Sequence, residues 1–221
     1  MTGVLALVGG GEWSDGCSFD GDLLEASGGA HVAVLPAGSA YEDPAALVAR
    51  ARSWFGGLGA EVLEIPVLMR PDAYAGEAVD VVRSASFIYL AGASPMHLRS
   101  VLKGTPVWDA LVAAWRDGAV VAGSAAGADV LCDPMVDTRG GAFTVGLGLV
   151  EGLAVIPRAN TWSHDKIHRT VALAPPALDV AEVPEATALL RAPDGTWSSA
   201  GVGDVIVHRG GAVVSVGDLR A

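Results

Sequence analysis

Gly118-Ala119-Val120-Val121-Ala122-Gly123-Ser124-Ala125-Ala126-Gly127-Ala128-Asp129-Val130-Leu131 is the stretch that decides the fold. An apolar run enters a turn made only of small residues, and an apolar-periodic segment leaves it. This is the pattern of a buried strand, a tight elbow and a helix. Such an elbow lifts one residue to the edge of a sheet, where hydrolases of this build place a nucleophile. The free N–H groups at the start of the helix then receive the charge that develops on a substrate oxygen. The raised position here is Ala125, which has no oxygen or sulfur with which to attack.

Upstream of the elbow the same alternation repeats. Val4 to Val8 is a continuous apolar run ending in Gly9-Gly10-Gly11, a first buried strand that delivers a loop carrying Glu12 and Trp13 to the strand's carboxyl end. A short helix follows around Asp20 to Ala26, and His31 to Leu35 is a second strand, stopped by Pro36. Pro44 opens a helix on which Leu47, Val48, Ala51, Trp54 and Phe55 recur until Gly56-Gly57 ends it. Glu61 to Ile65 alternates and suits a strand near an edge, and Phe87 to Ala91 is another strand. Gly92-Ala93-Ser94-Pro95 turns that strand into a helix, and Pro106 starts the helix Val107 to Trp115 that leads into the elbow strand. Strands alternating with helices predict an α/β fold: a doubly wound, mostly parallel sheet with its site at the strands' carboxyl ends.

Beyond residue 131 the pattern changes. Leu153 to Ile156 and Thr187 to Leu190 read as strands and Asp165 to Leu173 as a helix capped by Ser163. The turn at Asp194-Gly195 and the runs Val205 to His208 and Ala212 to Val214 predict antiparallel hairpins closing one edge of the sheet. No repeat, linker or low-complexity segment interrupts the 221 residues, so residues 1–221 are expected to form one domain.

Composition narrows the partners. A net charge of −11 argues against nucleic acid and anionic membranes, both of which need a basic face. The start, Met1 to Gly9, lacks a basic segment and an apolar run long enough for a signal peptide or a membrane span. The two cysteines, Cys17 and Cys132, lack metal-type spacing and suit a reducing, cytoplasmic setting. Residues 51% hydrophobic with 29 glycines fit buried strands joined by tight turns.

The elbow, together with Gly9-Gly10-Gly11, Tyr89-Leu90-Ala91-Gly92-Ala93-Ser94 and Ile156-Pro157-Arg158, resembles the cyanophycinase and dipeptidase E family of serine peptidases. The resemblance covers most of the chain and implies the flavodoxin-like architecture of class I glutamine amidotransferases. It also implies a Ser-His-Glu triad, whose serine falls at Ala125, whose histidine falls at Arg158, and whose glutamate falls at Glu185. By this resemblance the oxyanion donors are the N–H of Ala126 and one from the Gly92-Ala93 turn, with Ser94 beside it. Substrates would be peptides or amides with acidic residues, and a homodimer is the assembly suggested.

The substitutions change the chemistry. A guanidinium stays protonated at any working pH, so Arg158 cannot take a proton as imidazole does. It can form a two-pronged pair with Glu185, or with Asp129 one turn along the elbow helix. Ser124 stands one residue early for a nucleophile, and its side chain is expected to point away from the site. His164 and His168, four apart on one helix, have the spacing of a zinc pair but no evident third ligand, so neither a metal nor a cofactor is expected. The glycine turn lacks the sequel of a nucleotide loop. His97 suits a structural or pocket-lining place, and Cys132 a buried one.

Three readings remain open at this level. The first is a peptidase-like protein unable to form an acyl-enzyme, retaining a pocket for an acidic peptide or acyl amino acid. The second is an enzyme using Glu185, Asp129 or Glu12 for non-covalent acid/base chemistry. The third is an active hydrolase whose nucleophile has been replaced deliberately.

Overall fold

The computed structural model describes residues 1–220. Five parallel strands, β1 (Leu5–Val8), β2 (His31–Gly38), β3 (Glu61–Glu64), β4 (Phe87–Gly92) and β5 (Val120–Ser124), form the centre of the molecule. Helices α1 (Phe19–Ala26), α2 (Pro44–Gly57), α3 (Gly76–Ser84), α4 (Pro95–Leu102) and α5 (Pro106–Arg116) alternate with them, and α6 (Ala126–Leu131) leaves β5. Two small ladders follow, β6 (Cys132–Asp133) with β9 (Val150–Glu151) and β7 (Met135–Asp137) with β8 (Ala142–Thr144). The chain ends with β10 (Leu153–Pro157), α7 (His164–Leu173), β11 (Asp179–Val183), β12 (Thr187–Arg191), β13 (Trp197–Gly201), β14 (Ile206–Arg209) and β15 (Ala212–Val214).

The main sheet has seven strands in the order β13-β12-β1-β5-β4-β2-β3, with β12 and β13 forming an antiparallel hairpin at one edge. Its two faces alternate strictly. Leu5, Leu7, Leu35, Ile88, Leu90 and Val121 pack against α3 to α6, whereas Ala6, Val8, Val32, Val34, Tyr89 and Ala122 pack against α1 and α2. Helices on both faces of a mostly parallel sheet make this a doubly wound, flavodoxin-like arrangement.

Two expectations need correction. β2 runs through Pro36 to Gly38 instead of stopping there, and its register with β4 shifts between Leu35 and Gly38 where proline withholds an N–H. The second tail hairpin, β14 and β15, does not extend the main sheet. It joins β11 and β10 in a separate four-stranded sheet of order β10-β11-β14-β15.

That second sheet positions half of the site. β10 and β11 are parallel and in register, with Pro157 opposite Val183, so Arg158 and the segment Pro184-Glu185 emerge side by side. β11 then feeds β12 of the main sheet through only Pro184, Glu185 and Ala186. Glu185 therefore stands at the seam between the two sheets, level with the carboxyl end of β1. Among the described residues no helix is long and apolar enough to cross a membrane.

Candidate active site

Ala125 occupies a backbone conformation that alanine rarely adopts, with φ 49° and ψ −106°. Its N–H donates to Val8 O at 2.9 Å, and its carbonyl accepts from Asp129 N–H at 3.1 Å, so β1 and α6 hold it from both sides. The turn can be this tight because a glycine stands two residues away on either side. A side-chain carbon on Gly123 would lie 2.6 Å from Gly127 C, and one on Gly127 would lie 2.3 Å from Leu90 O. Holding a residue there costs roughly 1–3 kcal/mol. Trp13, Arg158 and Ala186 also have positive φ, which concentrates the strained non-glycine residues around this edge of the sheet.

Arg158 meets Ala125 across Gly10. A carbon added to Gly10 would come within 2.8 Å of Arg158 Cγ and 3.6 Å of Ala125 Cβ. Arg158 N–H donates to Gly9 O at 2.6 Å, and its Nε donates to Glu185 Oε1 at 2.8 Å. Asn160 brackets the same glutamate: its Oδ1 accepts from Glu185 N–H at 2.9 Å, and its Nδ2 donates to Glu185 Oε2 at 3.3 Å. The pair is half exposed, so its own contribution to stability is small. Asn160 was not singled out from sequence. Its only signal is its place two residues after Arg158 in a short 3-10 turn, Ala159–Thr161.

Other expected site residues lie elsewhere. Asp129 is fully buried, and its Oδ1 accepts from Val136 N–H at 2.7 Å; it lines neither cavity at Ala125. Burial holds its carboxyl well above the usual range, so it makes no anchor for Arg158. The N–H groups of Ala93 and Ser94 both donate to Gly38 O at 3.0 Å, so the Ala93 N–H of the expected Gly92-Ala93 turn is already engaged. Ser94 Oγ accepts from His97 N–H and caps α4. Ala126 opens α6, and its N–H has no acceptor within the helix. Ser124 lies beneath the cleft, fully buried, and its hydroxyl donates to Glu12 Oε2 at 2.7 Å. The other Glu12 oxygen receives Arg50 Nη2 at 3.4 Å.

The remaining candidates have structural partners. A ring nitrogen of His97 lies 2.8 Å from Leu68 O, and its ring packs edge-on against Tyr41. Cys17 and Cys132 are buried free thiols, and burial raises both. His164 and His168 lie on α7, and no group of three or more potential ligands gathers around them among the described residues.

Two cavities meet at Ala125. The larger, about 540 Å³, is walled by Glu12, Ser39, Glu42, Asp43, Arg50 and Glu185. The smaller, about 210 Å³, is walled by Pro95, Thr138, Pro157, Thr161 and Trp162. Ala93, Ala125 and Arg158 border both. The larger has four carboxylates against two guanidiniums; the smaller has no carboxylate.

Comparison with known proteins places this arrangement. A crystal structure described as a peptidase from an acI-B1 Actinobacterium shares 29% identity, covering 99% of this chain and 96% of that one, with a TM-score of 0.86. A crystal structure described as a "Putative Peptidase E Protein from Listeria monocytogenes EGD-e" shares 19% identity, covering 95% of this chain and 99% of that one, with a TM-score of 0.61, and shows likeness of fold alone. No curated protein matches. The sequence profile described as Peptidase family S51 matches residues 5–196, which span the glycine turn, the elbow, Arg158 and Glu185, and the chain therefore belongs to peptidase family S51.

Proposed function

We propose that this protein is a peptidase-family member that binds a short acidic peptide or acyl amino acid at the junction of the two cavities and does not hydrolyse it through an acyl-enzyme. The observation that carries this reading is the elbow residue itself. Its strained backbone is that of a presented nucleophile, yet its side chain is the methyl group of Ala125. Beside it stands Arg158, which cannot serve as a base. In serine hydrolases, loss of the nucleophile or of the histidine removes about six orders of magnitude in rate.

Arg158 spends its Nε on Glu185, and among the described residues its two terminal nitrogens have no partner. They suit the two oxygens of a ligand carboxylate in a bidentate pair. Glu42 and Asp43, which also line the larger cavity, suit a free amino group on the same ligand, which favours a peptide over an acylated amino acid. The actinobacterial relative described as a peptidase supports a peptide as the ligand class.

The test is reversion. Ala125→Ser with Arg158→His is expected to gain labelling by a fluorophosphonate probe and cleavage of dipeptides with an acidic residue, whereas the unaltered chain gains neither. Full activity from Ala125→Ser alone would instead identify a hydrolase with a replaced nucleophile. A second reading rests on Glu12, a cavity-lining carboxylate oriented by Ser124 and Arg50, as an acid or base for non-covalent chemistry. Turnover without probe labelling, lost in Glu12→Gln, would favour it.

A further inference from the structure

Beneath the floor of the larger cavity lies a group of buried polar side chains whose hydrogen bonds do not close. Asp20, on α1, is fully buried; Trp54 Nε1, from α2, donates to its Oδ2 at 2.9 Å, and its Oδ1 has no partner. Tyr89, on β4, is fully buried, and its hydroxyl lies beside that of Ser124 and within electrostatic reach of Asp20, Glu12 and Cys17, yet makes no hydrogen bond of ordinary geometry. Trp13 packs on Tyr89 with ring centroids 5.3 Å apart, and its buried Nε1 is also unpartnered. The three orphaned polar atoms each cost about 1–3 kcal/mol if left dry. Native interiors meet such a demand with ordered water.

The donors and acceptors run in one direction. Ser124 donates to Glu12, whose other oxygen faces Arg50. A Tyr89 hydroxyl turned to Ser124 then needs a donor of its own. A water that accepts from Trp13 Nε1 and from a protonated Asp20 Oδ1 can donate to Tyr89, and three such bonds are the usual number for a buried water.

We propose that a buried water joins Asp20 to Tyr89, so that Asp20, the water, Tyr89 and Ser124 form one hydrogen-bond chain that ends on Glu12 at the floor of the cavity. The chain conserves protons: if the Asp20 O–H bond breaks, a proton passes to the water, each hydroxyl hands on its own, and Glu12 gains one. Burial, with the charge of Glu12 nearby, raises the Asp20 carboxyl to about 7, which agrees with a proton resting on it. The proposal does not depend on the ligand, because each element of it is present in the free protein.

The experiment is a crystal structure at a resolution that orders solvent, paired with infrared difference spectra of the unaltered chain and of its Asp20→Asn and Tyr89→Phe variants. The expected map shows a water within hydrogen-bond distance of Asp20 and the Tyr89 hydroxyl. Below about pH 7 the spectrum is expected to contain the band of a protonated buried carboxyl that disappears in Asp20→Asn and shifts in Tyr89→Phe, which keeps the ring packing. A dry site overturns the proposal, as does a carboxyl band that Tyr89→Phe leaves unmoved. If Asp20→Asn fails to fold, the solvent map and the Tyr89→Phe spectrum still decide.

Discussion

Arg158 Nε donates to Glu185 Oε1 over 2.8 Å, although the two residues are 27 positions apart in sequence. The parallel register of β10 with β11 brings them together, and the Gly9-Gly10-Gly11 turn lets both lie over the end of β1. Because the pair is half exposed, Arg158→Ala is expected to change folding stability by less than about 1 kcal/mol. The same variant is expected to weaken binding of a carboxylate ligand by roughly 10- to 100-fold, the worth of charge-assisted hydrogen bonds of about 1.5–3 kcal/mol. Urea denaturation and calorimetric titration with an acidic dipeptide measure the two effects separately.

Ala125 pays a conformational penalty that glycine would not. Ala125→Gly is expected to raise stability by about 0.5–1 kcal/mol, since relief at a positive φ outweighs the extra freedom of the unfolded chain. A urea midpoint lower than that of the unaltered chain would count against strain at the elbow.

Asp20 sets a pH dependence of unusual sign. Its carboxyl rises from 3.8 to about 7 on folding, so the folded state holds this proton more tightly than the unfolded chain does. Below 3.8 both states keep the proton and the group contributes nothing. Between 3.8 and about 7 the unfolded chain ionises first, and stability falls as pH rises; above about 7 the loss is constant, at most about 4 kcal/mol. Asp20→Asn is expected to flatten this slope, read as the difference in urea midpoint between the two proteins across that range.

In the second sheet, Arg209 grips Asp179 with two hydrogen bonds of 2.6 Å, and Asp179 is only 1% exposed. Asp179→Ala is expected to lower the urea midpoint, because it removes the buried carboxylate that accepts both of these bonds and leaves the guanidinium only the Asp218 carbonyl. Replacing both, with Asp179→Leu and Arg209→Met, is expected to cost less than either single change, and a double-mutant cycle in urea measures the coupling.

Much of the fold was legible because it rests on local patterns. The apolar runs at Val4 to Val8, Phe87 to Ala91 and Val120 to Ala122 are strands because only a doubly covered sheet buries such runs on both faces. Proline at the first turn marks the starts of α2, α4 and α5. Partnership in the tail was not legible. The hairpins 187–201 and 206–214 look alike as sequence, but the first pairs with β1 and the second with β11. Strand patterns state which residues are buried and leave the neighbour unstated.

The sequence by itself determined the doubly wound scaffold and the methyl group at its elbow, because glycine spacing, apolar runs and residue identity are local properties. Only the tertiary structure decided that Asp129 points into the core, that Gly38 O occupies the Ala93 and Ser94 donors, and that Asn160 and Arg158 share Glu185. These depend on where a side chain aims once two sheets meet, and that direction is set by packing between segments far apart in the chain.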